Sequence, residues 1–335
     1  MSNLKGLHYM RDTNMSHSAA QGKLLLLRHC ACAAPLNWLQ LSLPDASDAA
    51  ACEHDRLIRE AAVPVVNMGT ASAFERERAL DRAGLPIEGH GGLGLTPARP
   101  HRHAYFAGRF TADWPTMCSL FPMVASIDLD ARSDPTLPDP LPPLVALRTS
   151  LDLLRSLHRQ TASLYAGLDS DYYDHDTFGD RTYQYHPPHH PTPASLPTLH
   201  NIRQPDYPHR RHAQHHLCSV INHHFWCQHL VTYQDDLRYR TVLVCTSQPR
   251  AGDFLNAVPT DEHTRMPTEL FQCSLQRRLG LPLSPALPPT DHKGRTMDPY
   301  GDFLQNDGCH TYRHDQVKYR WYDALTATYG SEYTI

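Results

Sequence analysis

The chain has 335 residues, 41% of them hydrophobic, enough for ordinary cores and for more than one domain. Its 31 basic residues nearly balance 35 acidic ones, so there is no global electrostatic footprint of a dedicated nucleic-acid binder, and any such surface has to be local. Nine cysteines without a pairing framework, and no leading signal peptide, point to free thiols in a reducing, intracellular compartment. No apolar stretch approaches the roughly 20 residues of a membrane helix, so no membrane association is expected. The compositional anomaly is 24 histidines and 28 prolines.

In chain order, residues 1–16 read as a frayed start. Ala19 to Ala33 has the leucine density of a mostly buried helix. A second helix follows at Pro35, whose ring is tolerated in a first turn, and Asp45 or Ser47 is placed to cap a third. Phe74 to Ala83 predicts a helix. The glycine-rich run Leu85 to Leu95 then carries neither a Lys-Ser/Thr pair nor dinucleotide spacing, so it reads as a tight turn packing leucines between helices. Tyr105 to Met123 looks helical. The Pro-rich stretch 131–143 is an extended linker, and Leu144 to Leu168 returns to helical spacing with Leu147, Leu151, Leu154 and Leu157 on one face.

Residues 169–212 are rich in Tyr, Asp, Pro and His and predict a long irregular insert, poorly packed from Asp180 to Tyr207. Helices follow at Arg211 to Thr232 and at Thr268 to Leu279, the latter with Leu270, Phe271, Leu275 and Leu279 inward and Arg277 and Arg278 exposed. The fold class is therefore mainly α: a helical region over 1–130, the linker, a second helical region over 144–244 with the insert, and a C-terminal region over 245–335.

Three motifs bear on chemistry. Ten of the histidines lie between His186 and His224, and His212 with His216 has the i, i+4 spacing that puts two metal ligands on one helix face. No His-Glu-x-x-His sequence accompanies them. Tyr233-Gln234-Asp235-Asp236 has the letters of a polymerase carboxylate hairpin. It is flanked by an apolar-faced helix and by a charged exit at Leu237 to Arg240 rather than by two buried strands, so it reads as coincidental. His292, Cys309, His310 and His314 have the residue types of an atypical zinc site. Arg313, Arg320 and Trp321 lie in an aromatic, basic tail able to stack bases and contact phosphates, alongside Arg277 and Arg278.

Several blocks occur in a telling order: Pro35-Leu36-Asn37-Trp38, the Leu85 to Leu95 run, Ser247-Gln248-Pro249 with Ala251-Gly252 and Phe254 to Thr260, Arg277 to Leu283, Asp298 to Asp302, and Arg313-His314-Asp315. In this order they resemble the C-terminal part of the reverse-transcriptase polyproteins of non-LTR retrotransposons. The resemblance implies a thumb-like helical bundle over 1–130, with the polymerase palm preceding residue 1, and a zinc knuckle near the end.

That knuckle departs from the family pattern. Phe303 stands where its histidine belongs, and Ser284 to Met297 contains no cysteine, so zinc is not expected to be required. The resemblance also implies a reverse-transcriptase-like fragment without palm or endonuclease, catalytically inactive, with weak binding of RNA, DNA or a protein partner. The alternatives are a His-rich metal-binding protein and a hydrolase with a scattered site.

Overall fold

The computed structural model describes residues 19–125, 141–166, 196–204, 206–260, 264–283, 290 and 294–302. It divides into two compact units, residues 1–280 and 281–335. Among the described residues the regular structure is helical, and the β pairing is a single isolated bridge between Thr290 and Thr296 in the second unit. No described helix is long and apolar enough to cross a membrane.

The first unit opens with α1 (Ala19–Leu26), which widens into a π turn over Leu27–Ala31 and buries Leu24 and Leu27. After α2 (Leu36–Leu41), α3 (Pro44–Val66) starts one residue before the expected Asp45 cap. Pro44 occupies its first turn, and the side chain of Ser47 donates to Pro44 O instead of capping. Helix α4 (Ala73–Ala83) is set by a reciprocal box, Glu75 N–H donating to Ser72 Oγ and Ser72 N–H to Glu75 Oε2.

Helix α5 (Ala98–Leu120) begins seven residues ahead of the expected Tyr105 because its cap comes from another element. The Asp55 carboxylate of α3 accepts from Ala98 N–H at 2.5 Å and Arg99 N–H at 2.9 Å. The short α6 (Pro122–Ala125) follows it, and then α7 (Pro142–Ala166) and α8 (Leu199–Arg203). Thr198 caps α8, and Leu196, Ile202 and Tyr207 are buried, so the end of the insert is packed, contrary to the expected loose loop. Residues 180–195, like most of the Pro-rich linker, lie outside the described residues.

A 3-10 turn over Arg210–His212 leads into α9 (Ala213–Thr232). Its Leu217, Val220 and Ile221 meet Phe106 and Trp114 of α5 and Leu147, Leu151 and Leu154 of α7 in the main core, which thus joins helices from both sides of 131–143. The α5–α9 crossing is close because Gly108 has no side chain: a Cβ there would lie 2.5 Å from Gln214 Cα.

A second core gathers Leu85, Trp226, Leu230, Tyr239 and Leu243. The last two belong to α10 (Leu237–Ser247), an 11-residue helix where the sequence suggested only a charged exit. The reason is local: the Asp236 carboxylate accepts from Tyr239 N–H at 2.9 Å and starts a new helix. The unit closes with α11 (Asp253–Asn256) and α12 (Thr268–Leu279), the latter ended by Gly280 at φ 72°. In the second unit, the Asp298 carboxylate accepts from Tyr300 N–H (2.9 Å) and Asp302 N–H (3.1 Å), so the Asp298–Asp302 block is a self-bonded turn.

Candidate functional site

On α12 the inward positions are Phe271, Leu275, Leu279 and also Arg278, which falls seven residues after Phe271 and therefore on the same face. Arg278 is 2% exposed, against the expectation of an exposed, phosphate-contacting residue. Its guanidinium donates to Gly92 O (2.9 Å), Ala251 O (2.9 Å) and Ile87 O (2.8 Å). Leu270, expected inward, is 57% exposed instead. Arg277 is half-buried. Arg313, Arg320, Trp321, His292, Cys309, His310 and His314 lie outside the described residues.

A second buried arginine, Arg82 of α4, works the same loop from the other side. It donates from Nε to Gly91 O (3.3 Å) and from Nη2 to Val242 O (3.2 Å) and the Thr246 hydroxyl. Burial lowers the pKa of both guanidiniums to about 10, and their hydrogen-bond partners are carbonyl and hydroxyl oxygens rather than carboxylates. The glycine-rich run is thus a structural clasp, and Leu85, Leu93 and Leu95 are buried, as the sequence predicted. Gly91 and Gly94, both at φ 72°, let its backbone turn the carbonyls toward the arginines.

Tyr233-Gln234-Asp235-Asp236 forms the corner between α9 and α10. Asp236 caps α10 and pairs with Arg78 at 2.7 Å, while Asp235 is exposed. The Arg78 guanidinium lies over Tyr239 at 4.2 Å, over Tyr233 at 5.4 Å and over Phe74 at 5.5 Å. Two-metal phosphoryl transfer needs converging carboxylates. Here one acid of the pair is committed to Arg78 and to the helix end, and the other faces solvent.

The histidines divide. At the entry to α9, the rings of His209 and His216 approach to 5.2 Å and those of His215 and His216 to 5.8 Å, but His212 closes the 3-10 turn instead of continuing the α-helix. Among the described residues no three His, Cys, Asp or Glu side chains are grouped to hold a metal ion. Deeper in the bundle, His103 Nδ1 lies 2.9 Å from Ser150 Oγ and His224 Nδ1 lies 3.0 Å from Thr161 Oγ1. Ser150 and Thr161 are fully buried, so neither hydroxyl can meet a substrate and both pairs are structural.

A cavity of about 420 Å³ lies between α3, α4, α5 and α9. Phe225, His229 and Tyr233, at every fourth residue of α9, line it with Leu80, Leu95 and Pro97, and His101 and Asn222 supply interior polar groups. Asp55, Arg59 and Asp81 form its charged edge. Sequence reading missed this site. The aromatic spacing along α9 was legible, but its partners come from α3, α4 and α5, more than 100 residues upstream. Comparison of the chain with family models, with curated proteins and with solved structures gives no match.

Proposed function

We propose that this chain is a reverse-transcriptase-like helical segment without polymerase chemistry of its own, acting through weak binding of RNA or DNA, or of a protein partner. The observation that carries the reading is that three separate stretches of the resemblance, the Leu85 to Leu95 run, the block from Ser247 to Thr260 and the one that starts at Arg277, meet in one place. Arg28, seven residues ahead of the Pro35-Leu36-Asn37-Trp38 block, donates to Leu255 O (3.2 Å) and to Asn256 Oδ1 (2.9 Å), within the Phe254 to Thr260 block. Arg278 of the Arg277 to Leu283 block holds the glycine-rich run and Ala251 together. Gly252 packs where a Cβ would meet the side chain of Ile87 and lie 3.2 Å from the Arg278 guanidinium. Residues engaged in this way hold helices in register and are withdrawn from chemistry, which favours a scaffold over an enzyme. The His-rich alternative rests on composition and on the approach of His209 to His216.

Two measurements test the proposal. Fluorescence anisotropy with single-stranded and duplex RNA and DNA should give weak binding that falls steeply between about 50 and 200 mM salt. Primer extension on an RNA template with magnesium or manganese should give no product. Extension that is abolished by Asp235→Asn with Asp236→Asn would overturn the reading. Sequencing the reading frame upstream of Met1 adds an independent check: a palm with its own Tyr-x-Asp-Asp there supports it.

A further inference from the structure

The cavity beside α9 carries chemistry that the scaffold reading does not use. One wall is aromatic, with Phe225, His229 and Tyr233 spaced four residues apart and the His229 and Tyr233 rings stacked 5.8 Å apart. Two imidazoles, those of His101 and His229, line it, and the hydrogen of the first is fixed by its partner. His101 Nδ1 lies 2.8 Å from Pro97 O, which only accepts, so this nitrogen carries the hydrogen. Nε2 of the neutral ring only accepts, so the Asn222 amide terminus 2.9 Å away is assigned as its NH₂.

The second ring is held by Tyr239, whose hydroxyl oxygen lies 3.0 Å from His229 Nδ1. Burial keeps both rings uncharged, since it lowers the pKa of each. The site thus offers imidazole and amide hydrogen-bonding groups beside an aromatic wall, in a space of about 420 Å³ that suits one small planar molecule.

The charged edge decides against phosphate. Arg59 is already paired, with Glu77 at 2.5 Å and Asp81 at 2.7 Å, and Asp55 is engaged in capping α5. Carboxylates therefore outnumber cations at the mouth, and an added anion meets repulsion.

We propose that this cavity binds the uncharged base of a nucleoside, a planar heterocycle with neighbouring donor and acceptor edges, and discriminates against the phosphorylated form. Stacking on an aromatic face and hydrogen bonding at the base edge are the two interactions that recognise an unstacked base. The inference does not rest on the reverse-transcriptase reading, because it uses only the geometry of this cavity. Ligand-observed NMR and calorimetry on the full chain, with adenosine, guanosine, cytidine, uridine and their 5′-monophosphates, test it.

At least one nucleoside should saturate the site, with its monophosphate roughly ten-fold weaker or more. Thr232→Trp, at an exposed position on the mouth, should abolish the binding while the circular dichroism spectrum and melting temperature stay unchanged. Asn222→Ala should weaken it by about ten-fold. Absence of saturable binding by all four nucleosides up to about 10 mM overturns the inference. So does binding that Thr232→Trp leaves intact, or binding in which the monophosphate is as tight as the nucleoside.

Discussion

Helix α9 carries histidines at both ends, and the two ends treat them differently. At its entry, His215 is exposed and His216 half-buried. Burial and the neighbouring His209, His215 and His212 lower the pKa of His216, and the contacts are ring against ring. At its far end, His229 sits between Tyr233 and Tyr239, hydrogen-bonded to the latter, within reach of two arginines that are themselves buried. The same side chain on the same helix is a compositional feature in one place and a fixed, neutral hydrogen-bonding group in the other. What separates them is the packing of α4 and α10 against the C-terminal half of α9.

The largest effect is expected at the glycine-rich clasp. Arg278→Leu deletes three hydrogen bonds from a charged group, to the buried Gly92 O and the partly buried Ala251 O and Ile87 O, so it should destabilise the chain by about 4 kcal/mol or more in urea unfolding. Arg277→Leu, one position away and half-buried, should cost much less, and equal effects would contradict the clasp.

Acid acts more gradually, through buried histidines of which His229 is one. Burial pushes His229 down to about 3, and His103 and His90 to about 4 each. Below about pH 6.5 the unfolded chain takes up protons that these folded imidazoles refuse. Stability is therefore complete above that pH and falls as pH drops toward 4, by up to about 1.4 kcal/mol per pH unit for each histidine. His229→Asn should remove its share of the slope, read from urea midpoints across that range. An unchanged slope would mean that the ring is hydrated in the folded state.

Asp236→Asn tests the corner. It weakens the pairing with Arg78 but keeps an oxygen able to cap α10, and the acid is 41% exposed, so a loss of about 1 kcal/mol is expected. Asp235→Asn, on the exposed neighbour, and His215→Asn, at the entry of α9, should each stay within about 0.5 kcal/mol by the same measurement.

The sequence by itself determined where most of the helices lie, α10 excepted. Leucine spacing located α7 and α12, and the Phe74 to Ala83 segment was legible as α4, because periodicity is a property of neighbouring residues. It also identified the glycine-rich run as a structural turn. Tertiary structure decided what the sequence could not hold locally. Asp55 caps α5 from 43 residues away, so the early start of that helix has no signal in its own segment. Arg278 reads as a surface charge until three carbonyls from two distant loops surround it. The cavity joins α9 to residues of α3, α4 and α5, and whether Asn222 and His229 line a site or fill a core depends on which helices cross there. Local spacing fixes the direction of a side chain from its own helix; its partners are set by packing between elements far apart in the chain, where burial and desolvation decide which groups stay charged.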